Sequence, residues 1–394
     1  MNECATINGI RLYLVKIPFV TPFRISGGVS FSRKSLIVEL HSDGITGWGE
    51  TSPFEAPFYS SETVNSVRVI IEGEMIPRVT GKTFENIEHI KTALGENVRG
   101  NPFARAAIET AYWDLIARKN GLPLKPVITK KLEKYGTTAE YLKSNNYLVS
   151  GVSVGIPEDM DLRTLKKWVA EFVEDGYQRI KLKVSPEWNV SAVKTAREVV
   201  GADMQMWVDG NASFDIDEHL ETLRSFDSFN LCFLEQPLNN DDLFFHGKLS
   251  KLVKTPICLD ESMKSLMWAR ACVEGDISKI WNIKVHRMGG LLEAVKVYAY
   301  ASIHGVKVWG GTMPESGIGS MSIANLASFA GFAYPTDIED SARWFGKGND
   351  LIEIRMDSKG SIYLDETAPG IGVVNMDNFR RYATLLVEIG EMNA

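Results

Sequence analysis

Five charged residues, Lys183, Asp209, Glu235, Asp260 and Lys284, recur along the chain at steps of 26, 26, 25 and 24 residues, each at or beside the end of a short apolar run. One such step holds a β-strand, a helix and two loops, which is the repeat of a (β/α) barrel. Consecutive strands of a barrel end on the same face, so the five side chains are expected to converge there: three carboxylates flanked by two lysines.

The length of 394 residues suits a barrel of about 200 to 250 residues plus a smaller module. Hydrophobic residues make up 44% and charged residues 24%, enough for a sizeable core in an ordinary soluble chain. A net charge of -7 argues against nucleic acid as a partner, because a surface that tracks phosphates is basic. Cys4, Cys232, Cys258 and Cys272 lack metal-type spacing and read as free thiols in a reducing compartment. The sequence has neither a basic N-terminal region followed by an apolar stretch nor an apolar run of about 18 residues, so no membrane association and a cytoplasmic location are expected.

Residues 8–17 and 35–41 read as strands bounded by turn residues, and 62–75 and 104–119 as helices, the second with Ala107, Ile108, Ala111, Leu115 and Ile116 on one face. Residues 121–148 read as a connection whose lysines face solvent. From residue 150 the alternation becomes regular, with strand ends near Val154, Val184, Asp209, Glu235, Asp260, Lys284 and Trp309 and helices such as 160–175 and 291–304. The eighth strand is placed near 333–338. Residues 358–394 read as a short strand, a Pro/Gly turn and a final helical run packing back on the first module. The expected organisation is thus an α+β capping domain (1–130), a (β/α) barrel (131–357) and a C-terminal segment (358–394) returning to the cap.

Asp209, Glu235 and Asp260 offer only oxygen, which suits Mg²⁺, with Mn²⁺ as the other candidate, and disfavours zinc. In RIKLKV, Lys181 and Lys183 lie two apart and share one strand face. Two ammonium groups so placed are expected to depress each other's pKa, leaving one neutral and able to act as a base. Lys284 arrives from the far side of the carboxylates, so a substrate carbon held between them meets an amine on each face.

This constellation resembles the enolase superfamily in its muconate lactonizing enzyme subgroup, whose fold is α/β: a (β/α)7β modified TIM barrel with an α+β capping domain. TPFRISGG, GWGETSPFEAPFYSSE, GVSVGI, IKLKV, FLEQPL, TPICLDES and Gly289-Gly290 are most similar to the o-succinylbenzoate synthase and N-succinylamino acid racemase family. The resemblance implies that Asp209, Glu235 and Asp260 bind Mg²⁺, that Lys183 and Lys284 form the acid/base pair with Lys181 in support, and that Asn211 and Glu261 surround the metal. It implies that residues 23–28 (Phe23) and the loop carrying Phe54 and Tyr59 close over the substrate, and that Ser153, Met313 and Glu315 border it. The implied activity is abstraction of the α-proton of a metal-bound carboxylate through an enolate, ending in dehydration or racemisation, with a small carboxylate as substrate and a homo-oligomer as the assembly.

Two stretches depart from that family. GGTMPESGIG is more similar to muconate cycloisomerases, and PTDIEDSARW keeps Asp337 and Arg343 but carries Ile338, Glu339 and Asp340 where small hydroxyl residues are usual. The added acids are expected to favour a cationic substrate group. A muconate cycloisomerase or dipeptide epimerase is the enzymatic alternative, and a metal-stabilised binding barrel the non-catalytic one. Of the histidines, His286 is the one expected near the site.

Overall fold

The computed structural model describes residues 1–392. An antiparallel sheet near the N-terminus has the order Ala383–Gly390, Gly9–Ile25, Gly28–Ser42, Ile45–Thr51. The third cap strand escapes the sequence reading because its glycines read as turn residues. They serve close packing instead: a Cβ on Gly49 would stand 2.2 Å from the Ala107 carbonyl oxygen, and one on Gly47 would stand 2.4 Å from that of Ala111. Helix Pro102–Lys119 can therefore lie directly on the sheet, and its core positions from Phe103 to Ala117 are almost all buried.

Two expectations fail in this region. The final helical run is a short helix, Met376–Tyr382, followed by strand Ala383–Gly390, because pairing with the long cap strand overrides local helix propensity. The last two residues of that segment, 393 and 394, lie outside the described residues. The supposed connection also contains helix Leu124–Lys134, and Lys131 on it is 2% exposed, ion-paired to Glu3 at 2.6 Å and to Glu88 at 2.5 Å.

Seven parallel strands then follow in sequence order: Val152–Val154, Arg179–Lys183, Gln205–Asp209, Leu234–Glu235, Ile257–Leu259, Ile280–Ile283 and Lys307–Gly310. Their ends fall where the sequence places them. Residues 332–337 bridge the seventh strand at Val308 and the chain before the first at Ser150, closing the barrel where the eighth strand is expected. Helices Leu162–Glu174 and Leu291–Ile303 coincide with two expected ones.

Strand alternation sorts the side chains. In QMWVD, Trp207 and Asp209 share one face, as do Phe233 and Glu235, and Cys258 and Asp260, on the neighbouring strands. The lower members pack together as a buried cluster of Trp207, Phe233, Cys258, Ile280 and Trp309. The upper members are the acids. The barrel interior is therefore a largely apolar plug, with the buried Arg179 guanidinium stacked 4.2 Å from the Trp207 ring centre, and a charged layer on top.

Buried carboxylates fasten the cap over that charged end. Glu109 of the cap helix accepts the Leu291 and Leu292 N–H groups at 2.6 and 2.8 Å, and Glu50 accepts those of Ser316 and Gly319 at 3.1 and 2.9 Å. Each thus caps the N-terminus of a barrel helix. Within the cap, Glu62 accepts from Phe103 and Ala104 at 3.2 and 3.4 Å, and burial pushes its pKa up to about 7. A raised carboxylate stabilises the fold below its ordinary pKa, and that contribution is lost as pH rises through the folded value. Glu62→Gln, which stays neutral, is accordingly expected to gain a few degrees of melting temperature over the parent between about pH 5 and about pH 8. A pH-independent difference in thermal melts would contradict this.

Candidate active site

Lys183, Asp209 and Glu235 are direct register neighbours, Glu235 faces Cys258, and Cys258 faces Ile280. Asp260 thus lies two residues, and Lys284 four residues, further along the stagger; strand tilt in a barrel brings such positions to one height. Oxygens of Asp209, Glu235 and Asp260 lie within 4.8 Å of one another, and all three residues are buried. Burial, then the Asp209 charge, pushes the Glu235 pKa well above the ordinary range. Three mutually close buried carboxylates form a hard-oxygen donor set, which fits a divalent cation.

Cations enclose the triad. Lys183 Nζ lies 2.5 Å from Asp209, Lys284 Nζ lies 2.9 Å from Asp260, and Arg287 also binds Asp260. Although burial alone raises Asp260, Arg287 and Lys284 outweigh it and hold its carboxylate below the ordinary range. Lys181 bonds Asp337 and lies 3.7 and 3.8 Å from Asp209 and Glu235.

The expected depression of the Lys pair does not hold for Lys181. Burial lowers its pKa, yet Asp337, Glu235 and Asp209 together more than offset that and hold it above the usual value. The RIKLKV motif displays the like charges, while the compensating acids come from other strands.

A further layer orients these groups. The Trp207 indole N–H donates to Glu235 at 2.9 Å and the Asn282 amide donates to its other oxygen at 3.0 Å, while the Asn282 carbonyl oxygen is unpartnered. Gln236 accepts the backbone N–H groups of Asp260 and Ser262 at 3.0 Å each. Asn211 donates to Glu261 at 2.9 Å, leaving the Asn211 Oδ1 and Glu261 Oε2 atoms buried and free of partners. Burial, then Asp260, raises the Glu261 pKa to about 7.

Above the triad is a small cavity lined by Lys181, Lys183 and Lys284 below and by cap and loop residues above. Of the residues expected at the substrate, Phe23, Phe54, Tyr59, Ser153 and Met313 line it, as does Asn211. Glu315 does not; it borders a neighbouring smaller space, where its carboxylate accepts the Met313 N–H at 2.9 Å. The Tyr59 hydroxyl reaches across from the cap to Lys284 at 3.0 Å and Arg287 at 3.1 Å. The Ser153 hydroxyl donates to Asp337 at 3.2 Å.

The expected excess of acid is met by cations at Asp337 and only in part at Glu339, whose pKa burial still pushes up to about 7. Glu339 lines the cavity but pairs with Arg343 at 2.6 Å, and Asp337 is bound by Lys181 and by Arg179 at 2.8 Å. Asp340 caps helix Ser341–Phe345 by accepting the Ala342 N–H at 2.8 Å. His286 is buried beside Glu315, its ring nitrogens unpartnered, while His246 is a fully buried brace for the loop after Glu235, accepting the Leu238 N–H at 3.3 Å. Trp207, Gln236, Asn282, Arg287 and Trp344 also serve the site although the sequence reading assigned them no role. The alternation that places Trp207 beneath Asp209 was the available signal for the first of these.

Comparisons with known proteins agree with this geometry. Residues 9–128 match the N-terminal domain of the mandelate racemase / muconate lactonizing enzyme family, and residues 164–378 match the enolase C-terminal domain-like family. The chain is 36% identical to o-succinylbenzoate synthase of Bacillus subtilis over 96% of its own length and 97% of the relative's. It is 34% identical to N-succinylamino acid racemase of Thermus thermophilus over 93% and 94%. A crystal structure of an enolase superfamily member from Listeria innocua superposes with a TM-score of 0.87 at 28% identity, covering 98% of this chain and 99% of that one.

Proposed function

This chain belongs to the enolase superfamily, in its mandelate racemase / muconate lactonizing enzyme group, and on that premise we propose that it is an o-succinylbenzoate synthase, an N-succinylamino acid racemase, or both. The observation that carries this reading is the pair of amines, Lys183 at Asp209 and Lys284 at Asp260, which flank the carboxylate triad and border one cavity. We propose Asp209, Glu235 and Asp260 as the ligands of Mg²⁺, or Mn²⁺, with Asn211 and Glu261 beside them. When bound, that ion supplies positive charge against the negative charge that develops on the substrate carboxylate as the α-proton leaves.

The chain's own residues do the rest. One lysine removes the α-proton and carries it as an ammonium. If the opposite lysine, protonated, gives a proton to the other face of the same carbon, the product is the mirror-image amino acid. If it gives its proton to a departing β-hydroxyl, water leaves and a carbon–carbon double bond forms. Tyr59, Phe54 and Phe23 close the cavity and exclude water, which strengthens every charge interaction within it. The domain organisation that fits this chemistry has 1–130 and 358–394 as the cap and 131–357 as the barrel, with the cap supplying those three aromatics.

The assignment is tested by giving the Mg²⁺-loaded protein N-succinyl-L-amino acids and, separately, the β-hydroxy precursor of o-succinylbenzoate. Loss of optical rotation in the first assay or appearance of the aromatic product in the second is expected. Inactivity in both, with muconate lactonised or L-Ala-L-Glu epimerised instead, would replace this reading by a related one.

A further inference from the structure

Arg33, on the cap strand Gly28–Ser42, is 2% exposed and forms no ion pair among the described residues. Its nearest acids, Glu50, Glu315 and Glu55, act on it only across space, and burial pulls its pKa down to about 10. Its charge is met by backbone carbonyls. One terminal nitrogen donates to the oxygens of Met313 and, at 3.4 Å, Pro314; the other donates to Ser52 at 3.1 Å and Pro53 at 2.7 Å; Nε donates to Lys34 at 3.3 Å.

Apart from that of Lys34, those carbonyls belong to two segments that reach the cavity. Ser52 and Pro53 immediately precede Phe54, which lines the cavity and whose ring centre lies 5.1 Å from the guanidinium carbon. Met313 and Pro314 line it from the loop after the seventh barrel strand. The Phe54 wall continues through Phe58, at 4.8 Å, and Tyr59, at 5.8 Å, to the Tyr59 contact with Lys284. Phe58 in turn seats against the cap hairpin, where a Cβ on Gly28 would meet its ring at 2.9 Å.

We propose that Arg33 is a positioning residue that couples residues 52–59 to residues 312–315, so that the two walls of the cavity open and close as one. This rests on the assignment of that cavity as the substrate site. A planar fork spreads five donors over three nitrogens and so serves carbonyls arriving from two separate segments, whereas lysine offers three donors on one atom. If one wall moved alone, buried N–H donors would be left without acceptors, so separate motion is disfavoured. Arg33 touches no reacting atom and governs entry and retention of substrate, not proton transfer.

The test uses Arg33→Lys and Arg33→Met in the full-length Mg²⁺-loaded protein, with amide hydrogen exchange and steady-state kinetics on an N-succinylamino acid. Exchange is expected to rise in 52–59 and 312–315 together, with KM up about tenfold or more and kcat within about threefold. Arg33→Lys should lie between the parent and Arg33→Met. A rise confined to one segment, or a loss carried by kcat at unchanged KM, overturns the coupling. Should Arg33→Met not fold, Arg33→Lys alone carries both readouts. A parent protein inactive on every N-succinyl substrate contradicts the reaction assigned above but not the coupling, which amide exchange reads without substrate.

Discussion

Alanine at Lys183 or at Lys284 is expected to lower turnover by about 10²- to 10⁴-fold while the protein remains folded. Both side chains are nearly buried, at 5% and 4% exposure, and each is held by a carboxylate of the triad. Neither belongs to the apolar clusters that build the barrel. Their removal therefore deletes a proton carrier without opening the core. It also deletes a positive charge beside the acids, so Mg²⁺ affinity should be kept or raised, an outcome that a merely damaged site would not give. In a racemase, each substitution should spare α-proton removal from one enantiomer more than from the other, because each lysine serves one face. Near-full activity in both variants would remove the mechanism.

The second large effect concerns the triad and has opposite signs with and without the ion. Glu235→Gln is expected to abolish Mg²⁺-dependent activity and the thermal stabilisation by Mg²⁺, which for the parent should reach about 2.7 kcal/mol at a hundredfold excess over Kd. In chelator the same variant should be at least as stable as the parent, since burial and Asp209 make the Glu235 charge unfavourable there. The surroundings tolerate the change: Trp207 can keep its bond to the remaining oxygen, and Asn282, whose carbonyl is unpartnered, can rotate to accept from the new amide. Differential scanning fluorimetry with Mg²⁺ and with chelator reads both signs. A variant destabilised equally in the two conditions would mean that Glu235 serves the fold, not a cation.

The barrel and the charged layer were legible because they repeat. Apolar approaches such as MQMWVD, LCFLE and TPICLD each mark a strand end, and one barrel step separates them. What stayed hidden depends on partners distant in sequence. ATLLVEIG carries no strand alternation that outweighs its helix formers, and only the cap strand Gly9–Ile25 makes it extended. Lys131 is indistinguishable from its exposed neighbours until Glu3 and Glu88 are brought to it. Lys181 departs from expectation for the same reason: RIKLKV shows its neighbouring cation but not Asp337, which lies 156 residues away. The roles of Arg33, Arg287 and Asn282 likewise consist of contacts that no local motif encodes.

The central claim, that Lys183 and Lys284 move a proton at the carbon beside a substrate carboxylate, is tested most directly by proton NMR in D₂O. A panel of N-succinyl and N-acyl amino acids is incubated with the Mg²⁺-loaded protein, and the α-proton signal is followed for the parent and for both alanine variants. Disappearance of that signal with the parent, strongly slowed in both variants, is the predicted result. An α-proton signal that persists across the whole panel although Mg²⁺ is bound, or that disappears equally fast in the variants, would contradict it.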